Sequence, residues 1–200
     1  LALAIRDRYG IQPLVHFTCV GSGKTDIRRH LDKVRALGLT DILALRGDPP
    51  KGQAGFVPPP DGFSYANELI EFISLLGGFN IAVAGYPEKH PAAPDFETDV
   101  KNLKRKIDAG AKLVLTQLFF DNSAFFRFTA NLNSLGNTVP VVPGILPMTD
   151  PSQIEKMAQM CGALVPGHFA AELRTSSDPF QAGVDYAIAQ CRELRERGVK

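Results

Sequence analysis

The sequence predicts an α/β fold built on a parallel β-sheet. Short apolar runs alternate with amphipathic helical segments, and five such runs occupy residues 13–20, 41–45, 80–85, 112–118 and 139–145. Most of these runs are apolar at consecutive positions, which is typical of strands buried on both faces of a parallel sheet. Five strands, each followed by a helix, predict βα units with right-handed crossovers.

Apolar spacing and capping residues place the helices between the strands. Ile27, Leu31 and Val34 recur at helical spacing before a glycine, which predicts the first of these helices. Two further stripes, closed by Gly77 and Gly110, contain Leu69, Ile70, Ile73, Leu76, Phe96, Val100, Leu103 and Ile107. Asp150 and Asp178 each precede a proline, so each is predicted to cap a helix whose first residue is that proline.

Two architectures satisfy this alternation: a doubly wound open sheet and a (β/α)₈ TIM barrel. No GxGxxG motif follows the first strand, which weakens the dinucleotide-binding version of the open sheet. A barrel has eight strands in about 250 residues. The barrel interpretation therefore requires further strands outside these residues.

Composition excludes several classes of protein. The chain has 200 residues, 44% of them hydrophobic and 22% charged, with a net charge of +1, so it is globular rather than disordered. A pI near 7.9 argues against a nucleic-acid surface. The longest charge-free stretch, residues 128–149, is interrupted by Asn, Gly and Pro and does not predict a membrane span. Three widely spaced cysteines indicate a reducing, cytoplasmic environment and no metal site.

One glycine-rich segment imitates a phosphate-binding loop. Residues 21–25 read GSGKT and lie between a predicted strand and a predicted helix. The complete pattern GxxxxGK[ST] requires a glycine at the position of Thr18, and that glycine is missing. We therefore interpret the segment as a turn, with Thr25 or a neighbour capping the next helix, rather than as a nucleotide hydrolysis site.

Polar residues follow the first four predicted strands where each strand ends. These positions include His16, Arg46, Asp48, Tyr86, His90, Gln117 and Asp121. The carboxyl ends of parallel strands meet on one face, where α/β enzymes build their active sites. The connection over residues 48–63 is long and rich in Pro and Gly, and we interpret it as a rim loop or lid rather than plain disorder.

The third apolar stripe carries polar residues along one of its edges. Asp99, Asn102 and Lys106 recur at helical spacing, with Arg105 adjoining them, whereas Lys104 is expected to face solvent. This pattern fits intrahelical ion pairs on a solvated face equally well. It also fits a site for a polyphosphate and its sugar, because Arg binds phosphate through paired donors and Asp accepts from hydroxyls.

Six motifs together resemble the methylenetetrahydrofolate reductase family, of the FAD-dependent bacterial type. In chain order the motifs are HFTC at 16–19, ALRGD at 44–48, AGYPEKH at 84–90, NLKRKIDAGA at 102–111, TQLFFD at 116–121 and PGILP at 143–147. The resemblance implies one catalytic TIM-barrel domain over residues 1–200, covering about strands three to seven. It implies bound FAD, NADH or NADPH as reductant and 5,10-methylenetetrahydrofolate as substrate, in one-carbon metabolism and methionine biosynthesis. A homo-oligomer without nucleic-acid or membrane partners is also expected.

The resemblance also assigns roles to individual residues. Asp48 resembles the acid near both the flavin and the folate, where its charge would stabilise the cationic iminium form of the substrate. Gln117 resembles a residue that hydrogen-bonds the pterin ring. Residues that resemble cofactor contacts are His16, Arg46, Gly47, Asp48, Tyr65, Ala66, Tyr86, His90, Asp99, Asn102, Arg105 and Lys106. No metal ligand is implied.

The sequence departs from the family pattern in four places. The glutamate that acts as general acid, a flavin-contacting threonine and an arginine near the substrate's glutamate tail have no counterpart here. A folate-contacting glutamine has no clear match around residues 169–171. We therefore expect these 200 residues alone not to perform the full reaction. Two alternatives stay open: a flavin-binding subunit of a larger redox complex, and a non-flavin barrel enzyme that acts on phosphorylated metabolites.

Overall fold

A computed structural model describes residues 1–47 and 57–199 as an alternation of strands and helices. The strands are β1 (Val15–Thr18), β2 (Asp41–Leu45), β3 (Asn80–Gly85), β4 (Leu113–Leu118) and β5 (Val141–Gly144). The helices are α1 (Ala2–Tyr9), α2 (Lys24–Ala36), α3 (Ala66–Leu76), α4 (Phe96–Asp108), α5 (Asn122–Ser134), α6 (Ile154–Cys161), α7 (Gly167–Thr175) and α8 (Pro179–Glu196). Each predicted strand is therefore present.

The five strands form one sheet in the order β1-β2-β3-β4-β5. The first three strands are parallel, with Val15 opposite Ile42 and Ile42 opposite Ile81. A doubly wound sheet reverses its strand order at a switch point. The described strands show no such reversal, so the open-sheet alternative is wrong and the TIM-barrel-like α/β prediction is confirmed.

The chain divides into two compact units. Unit 1 comprises Leu1–Ala84 and Arg105–Val114, and unit 2 comprises Gly85–Lys104 and Leu115–Lys200.

In unit 1, apolar side chains of the strands pack with the stripes of α2 and α3. Ile42 and Ile81 are almost fully buried, as are Ile27, Leu31 and Ile73 from the helices. Burying an aliphatic side chain of this size stabilises a fold by about 1.5–3 kcal/mol. The spacing that predicts these helices therefore also identifies the residues that hold them to the sheet.

Phenylalanines dominate the core of unit 2. Phe120 and Phe169 pack with Leu173 and neighbouring apolar residues, while Phe119 and Phe125 stack with ring centroids 5.5 Å apart. The phenylalanines that follow β4 thus pack in the core rather than forming an exposed stacking platform.

One of the two predicted aspartate caps is confirmed and the other is wrong. The Asp178 carboxylate accepts a hydrogen bond from Gln181 N at 3.0 Å, and α8 begins at the proline after it. The Asp150 carboxylate instead accepts from the backbone and hydroxyl of Ser152. These bonds hold a turn, so α6 begins only at Ile154, because such local bonds compete with helical ones.

Among residues 1–47 and 57–199, every helix is too short or too polar to cross a bilayer.

Candidate functional site

His16 is an exposed residue of β1, at the edge of the unit 1 sheet. It alternates with buried Phe17 along β1 and pairs with Leu43, which in turn pairs with Ala82. Side chains opposite one another in a parallel register share a face of the sheet. The exposed imidazole therefore projects from the face opposite Phe17, together with the exposed Thr18 two residues further on.

Cys19 joins the ends of β1 and β2 to the start of α3. Its backbone N–H donates to Leu45 O at 3.3 Å, and its Sγ lies 3.4 Å from Arg46 O and 3.9 Å from Phe63 O. Burial raises the pKa of the Cys19 thiol, so it stays protonated at neutral pH. Cys19 is thus a structural neighbour of predicted cofactor contacts rather than a nucleophile.

The last residue of β1 and Val20, just after it, leave room only for a glycine at position 47. Its φ of +88° disfavours residues that carry a Cβ. A Cβ at this position would also lie 2.7 Å from Val20 Cγ1 and 3.2 Å from Thr18 Cβ. Asp48 follows directly but lies outside the described residues, as does most of the predicted rim loop.

The predicted pair Tyr65 and Ala66 opens α3. The helix begins at Ala66, and the Glu68 carboxylate accepts from the backbone N–H groups of Ser64 and Tyr65 at 2.7 and 3.2 Å. These bonds satisfy donors that a helix start leaves unpaired. The Tyr65 ring is exposed, and the Cys19 contact with Phe63 O keeps this helix start beside the end of β1.

The protein itself fills the space beside the glycine-rich segment at residues 21–25, which resembles part of a phosphate-binding loop. Gly23 is the N-cap residue of α2 and no side chain caps this helix, so the prediction of a cap by Thr25 or a neighbour is wrong. Lys24 N donates to Asp61 O at 3.3 Å. The Asp61 carboxylate fills the space beside Gly23, with its Cγ 2.8 Å from the position of a Cβ. An acidic group at this helix start disfavours a phosphate there.

Lys106, one of the predicted site residues of α4, reaches a strand of unit 1. Its Nζ donates to Ala84 O near the end of β3 at 3.3 Å, and its side chain is half-buried. Arg105, beside it, is exposed.

Unit 2 contains the loop between β3 and α4, which we call the β3–α4 loop (residues 86–95). The rings of Tyr86 and His90 meet edge to face with centroids 4.5 Å apart. Asp99, in the first turn of α4, accepts from the His90 backbone N–H at 2.8 Å. His90 Nδ1 accepts from Ala92 N at 3.0 Å, which restrains the imidazole. Three predicted cofactor contacts are thus joined through His90, with Tyr86 held by a ring contact and Asp99 by a hydrogen bond.

The polar edge of α4 is present, with one difference from the prediction. Asp99, Asn102 and Lys106 are all half-buried beside the apolar stripe. Lys104, which was expected to face solvent, is half-buried, whereas Arg105 is exposed. At 100° per residue, Lys104 lies on the opposite flank of the apolar stripe from Asp99, where the stripe partly covers it, whereas Arg105 points away from the stripe.

Gln117 shares a narrow cleft with the β3–α4 loop. Its side chain is half-buried on β4, and Gln117 Oε1 accepts from Leu118 N at 2.9 Å. Tyr86, Glu88 and Gln117 all line this cleft. The predicted pterin contact therefore lies beside a predicted flavin contact.

Glu88 is a residue to which the sequence assigned no role. It is half-buried, and its Oε2 accepts from Leu164 N, in the α6–α7 connection, at 2.6 Å. Burial raises the pKa of the Glu88 carboxyl, while the Leu164 hydrogen bond and the positive charge of Arg127 oppose that effect and Asp121 adds to it. Its place in the AGYPEKH motif could have identified it from the sequence, because a carboxylate that follows a strand often has a functional role.

A larger cleft of about 460 Å³ lies elsewhere in unit 2, beside α8. Its lining includes Asp121, His168, Tyr186 and Glu193, and none of the predicted binding residues. Among the described residues, no three His, Cys, Asp or Glu side chains are grouped so as to hold a metal ion. The predicted contacts instead offer cations, an amide and backbone groups, which suit phosphate and hydroxyl ligands.

Sequence comparisons agree on one family. The profile of the family described as methylenetetrahydrofolate reductase matches residues 1–200. The chain is 35% identical over 204 residues to "Methylenetetrahydrofolate reductase (NADH) 1" of Arabidopsis thaliana, and the match covers 94% of this chain and 34% of that protein. It is 34% identical over 200 residues to "5,10-methylenetetrahydrofolate reductase" of Escherichia coli K12, which covers 98% of this chain and 66% of that protein. The chain thus spans about a third of the plant relative.

Solved structures support the fold. A Clostridium thermocellum protein, described as an uncharacterized protein that binds two copies of 5-methyl-5,6,7,8-tetrahydrofolic acid, superposes with a TM-score of 0.62 at 16% identity. That match covers 96% of this chain and 65% of the other. A 2,3-dimethylmalate lyase of the PEP mutase/isocitrate lyase superfamily gives a TM-score of 0.51 at 15% identity, over 98% of this chain and 62% of the other. At these identities the likeness concerns the fold alone.

Proposed function

Because the chain belongs to the methylenetetrahydrofolate reductase family, we propose that the intact protein reduces 5,10-methylenetetrahydrofolate to 5-methyltetrahydrofolate with NADH or NADPH through bound FAD. The observation that carries this proposal is the family match over the whole chain. In this proposal the reaction serves one-carbon metabolism and methionine biosynthesis, and the protein works as a homo-oligomer in the cytoplasm.

The polar edge of α4 fits the phosphate-bearing part of FAD. Asn102, Arg105 and Lys106 supply an amide and two cations within two helical turns. A guanidinium offers paired donors to phosphate oxygens, and an ammonium offers a compact positive charge. In the proposal these side chains bind the diphosphate, and Asp99 orders the loop through His90 while accepting from a cofactor hydroxyl.

Side chains at the strand ends fit the ring system. His16 lies exposed on its sheet face, and Gly47 lets the end of β2 approach Thr18 and Val20 closely. Tyr86 and His90, which contact each other, offer aromatic and hydrogen-bonding surface. Bound FAD would supply the hydride chemistry that no side chain can supply.

Two residues of this chain act on the substrate in the proposal. Gln117 hydrogen-bonds the pterin and orients it. Asp48 places a negative charge beside the substrate, which stabilises the cationic iminium form that accepts hydride. The proton that the departing folate nitrogen requires comes, by family resemblance, from a glutamate outside these residues.

The substitution Asp48→Asn tests this division of roles in the full-length protein. It removes the charge but keeps the shape, so FAD affinity is expected to stay within about threefold while reoxidation of the reduced flavin by the folate slows by at least tenfold, the equivalent of about 1.4 kcal/mol. Stopped-flow absorbance measures the two half-reactions separately. Equal losses in FAD binding and folate reduction would make Asp48 a structural residue. A colourless protein that ignores FAD would instead favour a non-flavin barrel enzyme.

A further inference from the structure

The β3–α4 loop carries two of the proposed flavin contacts, and it is held from several sides. Asp99 binds it at His90 N from α4, and Lys89 Nζ donates to Ala93 O within the loop at 2.6 Å. Both of these restraints are local in the sequence. A third restraint, from Glu88 to Leu164 N, crosses 76 residues.

The α6–α7 connection meets this loop at two points. Gly162 packs so closely that a Cβ would lie 3.1 Å from Lys89 O and 3.2 Å from Pro91 Cγ. Two residues further on, Leu164 N donates to the Glu88 carboxylate at 2.6 Å. The Leu164 side chain is 74% exposed, so its backbone is not held there by burial of the side chain. Its neighbours Ala163 and Val165 pack against the core of unit 2, and the hydrogen bond fixes the backbone between them.

The carboxylate of Glu88 is a strong acceptor in a constrained place. Hydrogen bonds to charged groups are shorter and stronger than neutral ones, at about 2.7–2.9 Å for N–H donors. The bond from Leu164 N to Glu88, at 2.6 Å, is slightly shorter still. Arg127 on α5 offers a favourable charge and Asp121 an unfavourable one. Glu88 also lines the cleft that Tyr86 shares with Gln117, so it lies close to both predicted contacts.

We propose that Glu88 is a positioning residue, which fixes the loop that carries Tyr86 and His90 to the α6–α7 connection through Leu164 N and thereby sets flavin affinity. This inference rests on the proposed function. It assigns Glu88 no contact with the cofactor. Its effect passes through the backbone that places the Tyr86 and His90 rings.

The test measures FAD dissociation constants by fluorescence quenching for the full-length protein and its variants. Glu88→Ala is expected to weaken FAD binding about tenfold, because a lost hydrogen bond to a charged acceptor frees the loop. Glu88→Gln keeps an acceptor oxygen, so affinity is expected within about threefold of the unsubstituted protein. Glu155→Ala, which removes an exposed carboxylate paired with Arg174, is the matched control and leaves affinity unchanged.

A second variant approaches the same bond from its donor. Leu164→Pro removes the N–H and replaces an exposed side chain, so it is expected to weaken FAD binding by a similar factor. Combining it with Glu88→Ala adds no further loss, since both changes remove one interaction. This variant keeps the test available if Glu88→Ala fails to fold.

The outcomes separate the two proposals. If the unsubstituted protein does not bind FAD, the proposed function fails, and this inference fails with it. If it binds FAD but Glu88→Ala binds equally well, only the positioning role is overturned. Equal weakening by alanine and glutamine would overturn it too, because charge rather than the hydrogen bond would then be responsible. A loss of FAD affinity that merely follows a lowered melting temperature would indicate a general structural role.

Discussion

Replacing Gly47 by alanine gives a quantitative test of how β1 and β2 shape the proposed flavin site. The φ of Gly47 is +88°, a region that costs a residue with a Cβ about 1–2 kcal/mol. The new methyl group would also lie 2.7 Å from Val20 Cγ1, and such overpacking costs about 1–3 kcal/mol. Gly47→Ala is therefore expected to lower the free energy of unfolding by about 2–5 kcal/mol.

Gly136 offers the matched control, because its φ of +77° is similar and no atom lies within 4 Å of a Cβ built there. Gly136→Ala isolates the backbone cost, at about 1–2 kcal/mol. Urea unfolding of the full-length protein gives both values, and the difference between them measures the contact with Val20. Adding Val20→Ala to Gly47→Ala should recover part of that difference.

FAD affinity should fall for Gly47→Ala and stay constant for Gly136→Ala, since only the first displaces the end of β2. Equal losses of unfolding free energy in the two variants would refute the steric reasoning. An unchanged FAD affinity in a folded Gly47→Ala protein would refute the placement of the flavin at this strand end.

Three further predictions concern the core, the charge at the loop and the helix edge. Asn122→Ala removes a buried amide that donates to Glu193 Oε2 at 2.7 Å, so urea unfolding should show a loss of about 1–3 kcal/mol; a loss below about 0.5 kcal/mol would contradict the value given to this bond. Burial raises the pKa of the Glu88 carboxyl, so the folded protein binds the carboxyl proton more tightly than the unfolded chain does. The free energy of unfolding, measured relative to the Glu88→Gln variant, should therefore rise as pH falls from neutral towards that raised pKa. Thermal unfolding of both proteins at several pH values checks this sign, and a constant difference would contradict it. Lys106→Met should weaken FAD binding about tenfold, whereas the exposed Lys101→Met should change it less than twofold, and equal effects in a fluorescence titration would remove Lys106 from the diphosphate site.

Much of the fold follows from local chemistry. The consecutive apolar residues of β2 and β3 predict both strands at their observed bounds, because each apolar run, buried on two faces, starts directly after a polar residue, Asp41 or Asn80. Asp178 predicts the start of α8, because a carboxylate before a proline satisfies the first donors of a helix. The same reasoning fails at Asp150, because the Asp150 carboxylate accepts hydrogen bonds from the backbone and hydroxyl of the nearby Ser152 instead of capping a helix.

The site is only partly readable from the sequence. The spacing of Asp99 and Asn102 on α4 predicts that they flank the apolar stripe, and both are half-buried there. The partner of Asp99, the His90 backbone, and the tie from Glu88 to Leu164 depend on where loops return in space. The spacing of apolar and polar residues along the sequence does not predict such contacts.

The most direct test of the central claim is to follow the flavin spectrum of the full-length protein under anaerobic conditions. The account predicts a yellow protein whose absorbance near 450 nm is bleached by NADH or NADPH and restored by 5,10-methylenetetrahydrofolate, with 5-methyltetrahydrofolate as product. A flavin that is bleached by neither nucleotide, or that stays reduced when the folate is added, would contradict it.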